Sequence, residues 1–275
     1  MRCWLFAPGH EGRKARKALR AGADFVVLDW EDAVPSAQKQ AAREETLAVT
    51  TELERDDPQA LAKLCVRIND PNSEYFAGDV EALHGWQPAV VVVPKVDDLS
   101  DVDAASAVGS PLMLLIESAL GVERAFEVAR GHDLVRYLAF GPLDLLADLG
   151  GSWTEHGEET LYARSRVAIA ARAAGLVAAS DGPWPDLEDV EGLGEDTERG
   201  RRMGYGGRLA IHPAQLGTIQ TAYAPSEEDL DFARRVVAAA EEAEAQGRSA
   251  ITVDGRFVDA PVVKWAKQVL ASDGG

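Results

Sequence analysis

Eight short apolar runs, bounded by Gly, Pro, Asn or Asp, are spread along the whole chain: Cys3–Ala7, Phe25–Asp29, Leu64–Ile68, Val90–Pro94, Leu112–Ile116, Tyr137–Phe140, Leu176–Ala179 and Leu209–Ile211. Their repetition limits the fold more than any other feature of the sequence. Several are apolar throughout rather than alternating, and Val26-Val27 and Val90–Val93 are β-branched, the pattern of parallel strands covered on both faces. Between them lie stretches with helical spacing: Ala15, Ala18 and Leu19, then Val122, Ala125, Phe126 and Ala129, then Val167, Ala170, Ala171 and Ala174. Eight such units predict an α/β fold, a closed (β/α)8 TIM barrel. The competing architecture is an open α/β sheet, and the GxGxxG that a dinucleotide-binding sheet carries after its first strand is missing.

A barrel takes roughly 250 residues, so the 275 of this chain accommodate one barrel and a C-terminal addition. Residues 1–225 are expected to form the barrel and 226–275 a C-terminal helix and lid. The helix is Glu227–Gln246, and the lid is a hairpin over Ala250–Asp259 split at Asp254-Gly255. A lone hairpin is only marginally stable, so this one is expected to pack on its own barrel or on a neighbouring subunit.

The net charge of −18 sets up a field that repels polyanions, so neither nucleic acid nor an anionic membrane is expected as a partner. An anionic substrate would need a local basic mouth. Arg13, Lys14, Arg16, Lys17 and Arg20, just after the first strand, either supply one or form a solvated helix face. The two cysteines, Cys3 and Cys65, lie in apolar runs without metal-ligand spacing and read as reduced core residues of a cytoplasmic protein. No signal-type segment precedes Glu11, and no run of about 18 apolar residues occurs.

In a parallel barrel the loops after the strands open on one face, so groups at the strand ends share one mouth. Here those ends carry Pro8-Gly9-His10, Glu31-Asp32, Arg67 and Asn69, Lys95, Glu117-Ser118, Gly141 with Asp144, Asp181-Gly182, and His212-Pro213. Glu117 and Asp144 present two carboxylates from adjacent strands, a provision suited to a hard divalent cation that keeps room for water and substrate. The alternatives are that Asp144 caps a helix and that Glu117 pairs with Arg67 or Lys95. Arg67, embedded in a strand, is expected to meet an anion: a substrate carboxylate or developing enolate, or Glu31 and Asp32. Lys95, with Arg67 and Glu117, is assigned to substrate binding, and Glu31 and Asp32 to a supporting shell behind a metal. His212 between Ile211 and Pro213 reads as a structural histidine more readily than as an acid–base group. No GxSxG, P-loop or HExxH is present to support nucleophilic hydrolysis, nucleotide cleavage or zinc proteolysis.

These strand ends resemble the citrate lyase β-subunit-like branch of the HpcH/HpaI aldolase superfamily, which includes malyl-CoA and citramalyl-CoA lyases. The resemblance spans nearly the whole chain. It is carried by Leu5-Phe6-Ala7-Pro8-Gly9, Leu28-Asp29-Trp30-Glu31-Asp32-Ala33-Val34, Val66-Arg67-Ile68-Asn69, Val93-Pro94-Lys95, Ile116-Glu117-Ser118, Phe140-Gly141-Pro142-Leu143-Asp144 with Asp148-Leu149-Gly150, Glu191-Gly192, and Ala210-Ile211-His212-Pro213. It implies a barrel that is usually trimeric, Mg²⁺ (or Mn²⁺) on Glu117 and Asp144, and a substrate carboxylate on Arg67. Phe257-Val258-Asp259-Ala260-Pro261 resembles the family's lid motif, which implies that Asp259 is the catalytic acid–base residue delivered to a neighbouring subunit.

The implied activity is cleavage or formation of a carboxylated 3-hydroxyacyl-CoA thioester, giving acetyl-CoA and a 2-oxo acid. The alternatives are a pyruvate-type aldolase on free oxo acids, a citrate lyase β subunit acting only with acyl-carrier partners, and a non-catalytic scaffold. Two features depart from the pattern. Trp30 stands where a small aliphatic residue is common and is expected to reshape the pocket, and the acidic stretch Trp184–Arg199 has no catalytic reading.

Overall fold

The computed structural model describes residues 3–154, 157–246 and 250–272. The first elements are β1 (Cys3–Pro8), α1 (Gly12–Leu19), β2 (Phe25–Asp29), α2 (Lys39–Asp56), α3 (Pro58–Leu61), β3 (Leu64–Arg67), α4 (Phe76–Leu83) and β4 (Val91–Val93). There follow α5 (Leu99–Ser106), β5 (Leu112–Ile116), α6 (Ala119–Ala129), β6 (Val135–Phe140), α7 (Pro142–Leu149), α8 (Leu161–Ala173), β7 (Ser180–Asp181), α9 (Val190–Arg202), β8 (Gly207–Ala210) and α10 (Leu216–Tyr223). The chain ends in α11 (Glu227–Ala245), β9 (Ile251–Val253), β10 (Arg256–Val258) and α12 (Ala260–Ser272). Strands β1 to β8 pair in chain order, all parallel, and β8 returns to β1 to close the barrel. Among the described residues no helix is long and apolar enough to cross a membrane.

Two compact units arise, residues 1–220 and 221–275. In the first, side chains alternate between two apolar layers, as the two-residue strand period requires. Trp4, Val27, Cys65, Val92, Met113, Leu115, Ala139 and Leu209 fill the barrel. Trp30, Val66, Val91, Val93, Leu114, Ile116 and Leu138 face the helices. Trp4 stacks on Phe25 at 4.2 Å and meets Tyr137 edge-on at 5.2 Å, closing the end opposite the strand C-termini.

The seventh strand corrects the sequence reading. Leu176–Ala179 precedes it, and the pairing residues are Ser180 and Asp181, hydrogen-bonded between β6 and β8. Gly175, at φ 76°, ends α8, and the chain then runs at the surface, where Val177 is exposed. Burial of the polar strand is made possible by ions. Arg164 donates to both Asp181 and Asp196, and Arg208 pairs with Asp196 at 2.8 Å. Removing one partner of such a network leaves an uncompensated buried charge and costs about 3–5 kcal/mol.

In the second unit the hairpin turns at Asp254 and Gly255, both at positive φ, as a two-residue turn demands. Val253 and Val258 pack with Ala233 and Val236 of α11 and Ala266 of α12. Within its own unit the hairpin thus rests on two helices, one of which, α12, the sequence reading did not single out.

Candidate active site

The inward-facing sets continue to the strand ends: Cys65 leads to Arg67, Leu115 to Glu117, Ala139 to Gly141, and Leu209 to Ile211. Together they line a cavity of about 190 Å³ at the barrel mouth, joined there by Phe6, Asp32 and Asp144. Glu117 and Asp144 therefore face one space. Asp144 lies in the first turn of α7, whose cap, Gly141, has no side chain, and Asp144 itself makes no capping bond. Nor does Glu117 form an ion pair with Arg67 or Lys95. Its Oε1 accepts the backbone N–H of Lys95 at 2.7 Å.

Gly141 is required beside it, because a Cβ there would sit 2.4 Å from the Glu117 Cβ and 2.5 Å from its Oε2. Burial first, and then the charge of Asp144, push the Glu117 carboxyl up to about 8; Arg67 and the Lys95 N–H act in the opposite direction.

Arg67 is clamped chiefly by Asp29, one of the three carboxylates of the Asp29–Asp32 run. Asp29, also on the inward-facing side of its strand, accepts from Nε at 2.7 Å and from Nη2 at 2.6 Å. Nη1 lies 3.0 Å from Glu31 and 3.5 Å from Asp32. Burial opposes the guanidinium charge, but Asp29, Glu31 and Asp32 outweigh it and hold Arg67 firmly protonated. Glu31, raised by burial, bridges Arg67 and Lys95, whereas the half-exposed Asp32 is lowered by its neighbours despite burial and lines the cavity itself. Lys95 donates to Glu31 at 2.6 Å and lies 3.6 Å from Asp32, so its ammonium is engaged within the protein. Lys39 donates to the carbonyls of Trp30 and Glu31, each at 2.8 Å.

Of the remaining strand-end groups, Asn69, Ser118 and His212 are structural. Asn69 is held by Asp79, which also binds Arg43. Ser118 caps α6, and Asp148 accepts the N–H of Ala119. His212 caps a short turn through Nδ1, with Ala214 N at 3.2 Å. Trp30 does not touch the cavity, which corrects the expectation that it reshapes the pocket. It points to the opposite side of its strand from Asp29, is fully buried among the helices, and donates to Thr46 at 2.8 Å. Asp259 lies in the second unit, between β10 and α12, and is half-buried.

Asp29, Glu31, Asp32, Glu117 and Asp144 stand against Arg67, Lys95 and Lys39, a formal excess of two negative charges that is reached when Glu117 gives up its proton. Among the described residues no three His, Cys, Asp or Glu side chains group as a full metal cage. Two carboxylates with excess charge of two, in a cavity open to water, match instead what a hard dication such as Mg²⁺ uses.

Fold and mouth together define a (β/α)8-barrel enzyme with an acidic, arginine-bearing site. Residues 2–213 match the family HpcH/HpaI aldolase/citrate lyase. The chain is 34% identical to citrate lyase subunit beta of Leuconostoc mesenteroides subsp. cremoris, covering 98% of this chain and 92% of the relative. It is likewise 34% identical to (3S)-malyl-CoA thioesterase of Cereibacter sphaeroides, covering 97% and 92%. The crystal structure of CitE from Mycobacterium tuberculosis, in complex with magnesium, acetoacetate and coenzyme A, superposes with a TM-score of 0.87 at 35% identity, covering 100% of this chain and 98% of that one. The protein belongs to the HpcH/HpaI aldolase/citrate lyase family and is a carbon–carbon lyase.

Proposed function

We propose that this lyase cleaves, or in reverse forms, a carboxylated 3-hydroxyacyl-CoA such as malyl-CoA or citramalyl-CoA, yielding acetyl-CoA and a 2-oxo acid with Mg²⁺ bound at Glu117 and Asp144. The observation that carries this reading is the convergence of those two carboxylates and Arg67 on one cavity. The relatives named for citrate lyase and malyl-CoA, and the magnesium and coenzyme A of the neighbouring structure, support it.

A divalent cation held by Glu117 and Asp144 would supply positive charge to stabilise the substrate carboxylate and the oxygen that becomes the 2-oxo group. Asp259, brought by the C-terminal unit of a neighbouring copy, takes the proton of the 3-hydroxyl as the C2–C3 bond breaks. The bonding pair passes into the thioester enolate, whose negative charge the Arg67 guanidinium would stabilise. Return of the proton to the enolate carbon gives acetyl-CoA. The support for Asp259 is the likeness of Phe257–Pro261 to the family's lid motif, and the same likeness favours a homotrimer. Two buried cysteines, neither of them in a disulfide, fit a cytoplasmic setting.

Glu117 must be ionised to hold a cation. Between its ordinary range and about pH 8 the cation therefore displaces a proton. Mg²⁺ affinity is expected to rise steeply with pH over pH 6–8 and level off above. Titration calorimetry in buffers of different ionisation heat should show close to one proton released near pH 7.

Arg13, Arg16, Lys17 and Arg20 line a groove together with Pro213, which follows the eighth strand end. Arg16 is held by Glu45 and Glu52, and the other three make no ion pair within 4 Å among the described residues. Replacing Arg13, Lys17 and Arg20 by Gln should raise KM for a CoA thioester about tenfold or more at low salt. Binding of the free 2-oxo acid should be unchanged in the same titration.

The malyl-CoA thioesterase relatives favour one second reading, hydrolysis of the same thioester at the same cavity. A panel of malyl-, citramalyl- and methylmalyl-type thioesters, with products identified by mass, tests both. Acetyl- or propionyl-CoA with an oxo acid supports the lyase assignment; free CoA with an intact hydroxy acid supports hydrolysis.

A further inference from the structure

Lys95 is one of two non-glycine residues with positive φ among the described residues, at 54°, and the only one of the two in the barrel. Such a backbone is costly for a side chain bearing a Cβ and persists where surrounding contacts enforce it. Strand alternation places Val91 and Val93 toward the helices, and a regular extension of β4 would send the side chain at position 95 the same way. The left-handed turn breaks that phase. It lets the Lys95 N–H donate to Glu117 Oε1 at 2.7 Å, while Nζ reaches Glu31 Oε1 at 2.6 Å. Glu31 in turn holds Arg67 through its other oxygen at 3.0 Å.

We infer that Lys95 is a positioning residue with two separable functions: its left-handed backbone aims the Glu117 carboxylate, and its ammonium braces the Glu31–Arg67 pair. It acts through these partners rather than on substrate, in place of the substrate-binding role read from the sequence. The inference rests on the proposed function only in taking Glu117 as a cation ligand and Arg67 as a substrate contact.

Two substitutions separate the functions. Lys95→Gly removes the ammonium and keeps the positive φ without strain, whereas Lys95→Val removes the ammonium and disfavours that backbone. Lys95→Ala serves as a milder second case should the valine variant fold poorly by circular dichroism. Mn²⁺ binding, followed by electron paramagnetic resonance, and KM for the cleaved thioester are measured on the intact chain.

The expected result is Mn²⁺ affinity within about threefold of wild type for the glycine variant and about tenfold weaker for valine, with alanine between them. KM should rise in all three. Equal Mn²⁺ affinity in the glycine and alanine or valine variants would overturn the backbone function, and an unchanged KM in the glycine variant would overturn the ammonium function. Glu117→Gln is the control for the underlying assignment: if it leaves Mn²⁺ affinity unchanged, the cation site lies elsewhere, and that failure is recognised before the Lys95 variants are compared.

Discussion

Glu117→Gln should abolish Mg²⁺ binding and lower kcat by a factor on the order of 10³ or more, because it removes one of two carboxylates that hold the cation opposite the developing charge. The same substitution should leave the metal-free fold at least as stable as wild type. The physical cause is the position of Glu117. Its carboxyl is buried beside Asp144, and no cationic side chain is paired with it.

The sign follows from proton binding. A carboxyl that titrates near 8 in the folded chain and in the ordinary carboxylate range when unfolded binds more protons folded than unfolded between those values. Stability of the metal-free protein should therefore fall as pH rises through that window and flatten above about 8. Glu117→Gln should remove this contribution to the slope. Thermal denaturation in chelator between pH 5 and 9, run for both proteins, checks it. A wild type whose stability rises through that window while the variant's does not would contradict the burial argument.

Asp259→Asn should lower kcat by about 10²–10⁴-fold, the usual weight of a positioned acid–base group, while Mg²⁺ affinity stays as in wild type. The residue sits outside the barrel unit, so its loss should not disturb the strand-end geometry that holds Glu117 and Asp144. Mixing Asp259→Asn with Glu117→Gln chains extends the test to assembly. If Asp259 serves a neighbouring copy's mouth, mixed oligomers should regain activity from sites that combine an intact mouth with an intact lid. Full turnover by Asp259→Asn alone would remove the residue from the mechanism.

Much of the barrel was legible because buried parallel strands are apolar on both faces, and seven of the eight strands lie where apolar runs mark them. The exception has a physical cause. Ser180 and Asp181 are polar and are buried only because Arg164 of α8, 17 residues before the aspartate, meets it. Ion pairs of that kind leave no periodic trace. They also account for part of the acidic stretch after Trp184: Asp196 belongs to the Arg164–Arg208 network, Asp189 caps α9, and Glu198 pairs with Arg201 and Arg202.

The site was legible as a set of strand-end charges, but their division of labour was not. Asp29 was not singled out from Glu31 and Asp32 as the clamp of Arg67, and Trp30 was assigned to the pocket, although the phase of alternation along Val27, Leu28, Asp29 and Trp30 separates the two. Counting inward positions from Val27 puts Asp29 on the side of Arg67 and Trp30 on the side of the helices. Lys95 escaped that rule for the opposite reason. Its positive φ interrupts the alternation, and a Val-Pro-Lys sequence does not announce a left-handed lysine.

The central claim is cation-dependent carbon–carbon cleavage of a malyl-type thioester. The most direct measurement follows acetyl-CoA and the 2-oxo acid released by the purified protein from malyl-CoA and citramalyl-CoA, before and after exhaustive chelation. Equimolar release that stops on chelation and returns with Mg²⁺ is the predicted result. Cleavage that continues unchanged without divalent cation, or free CoA and intact hydroxy acid as the sole products, would contradict it.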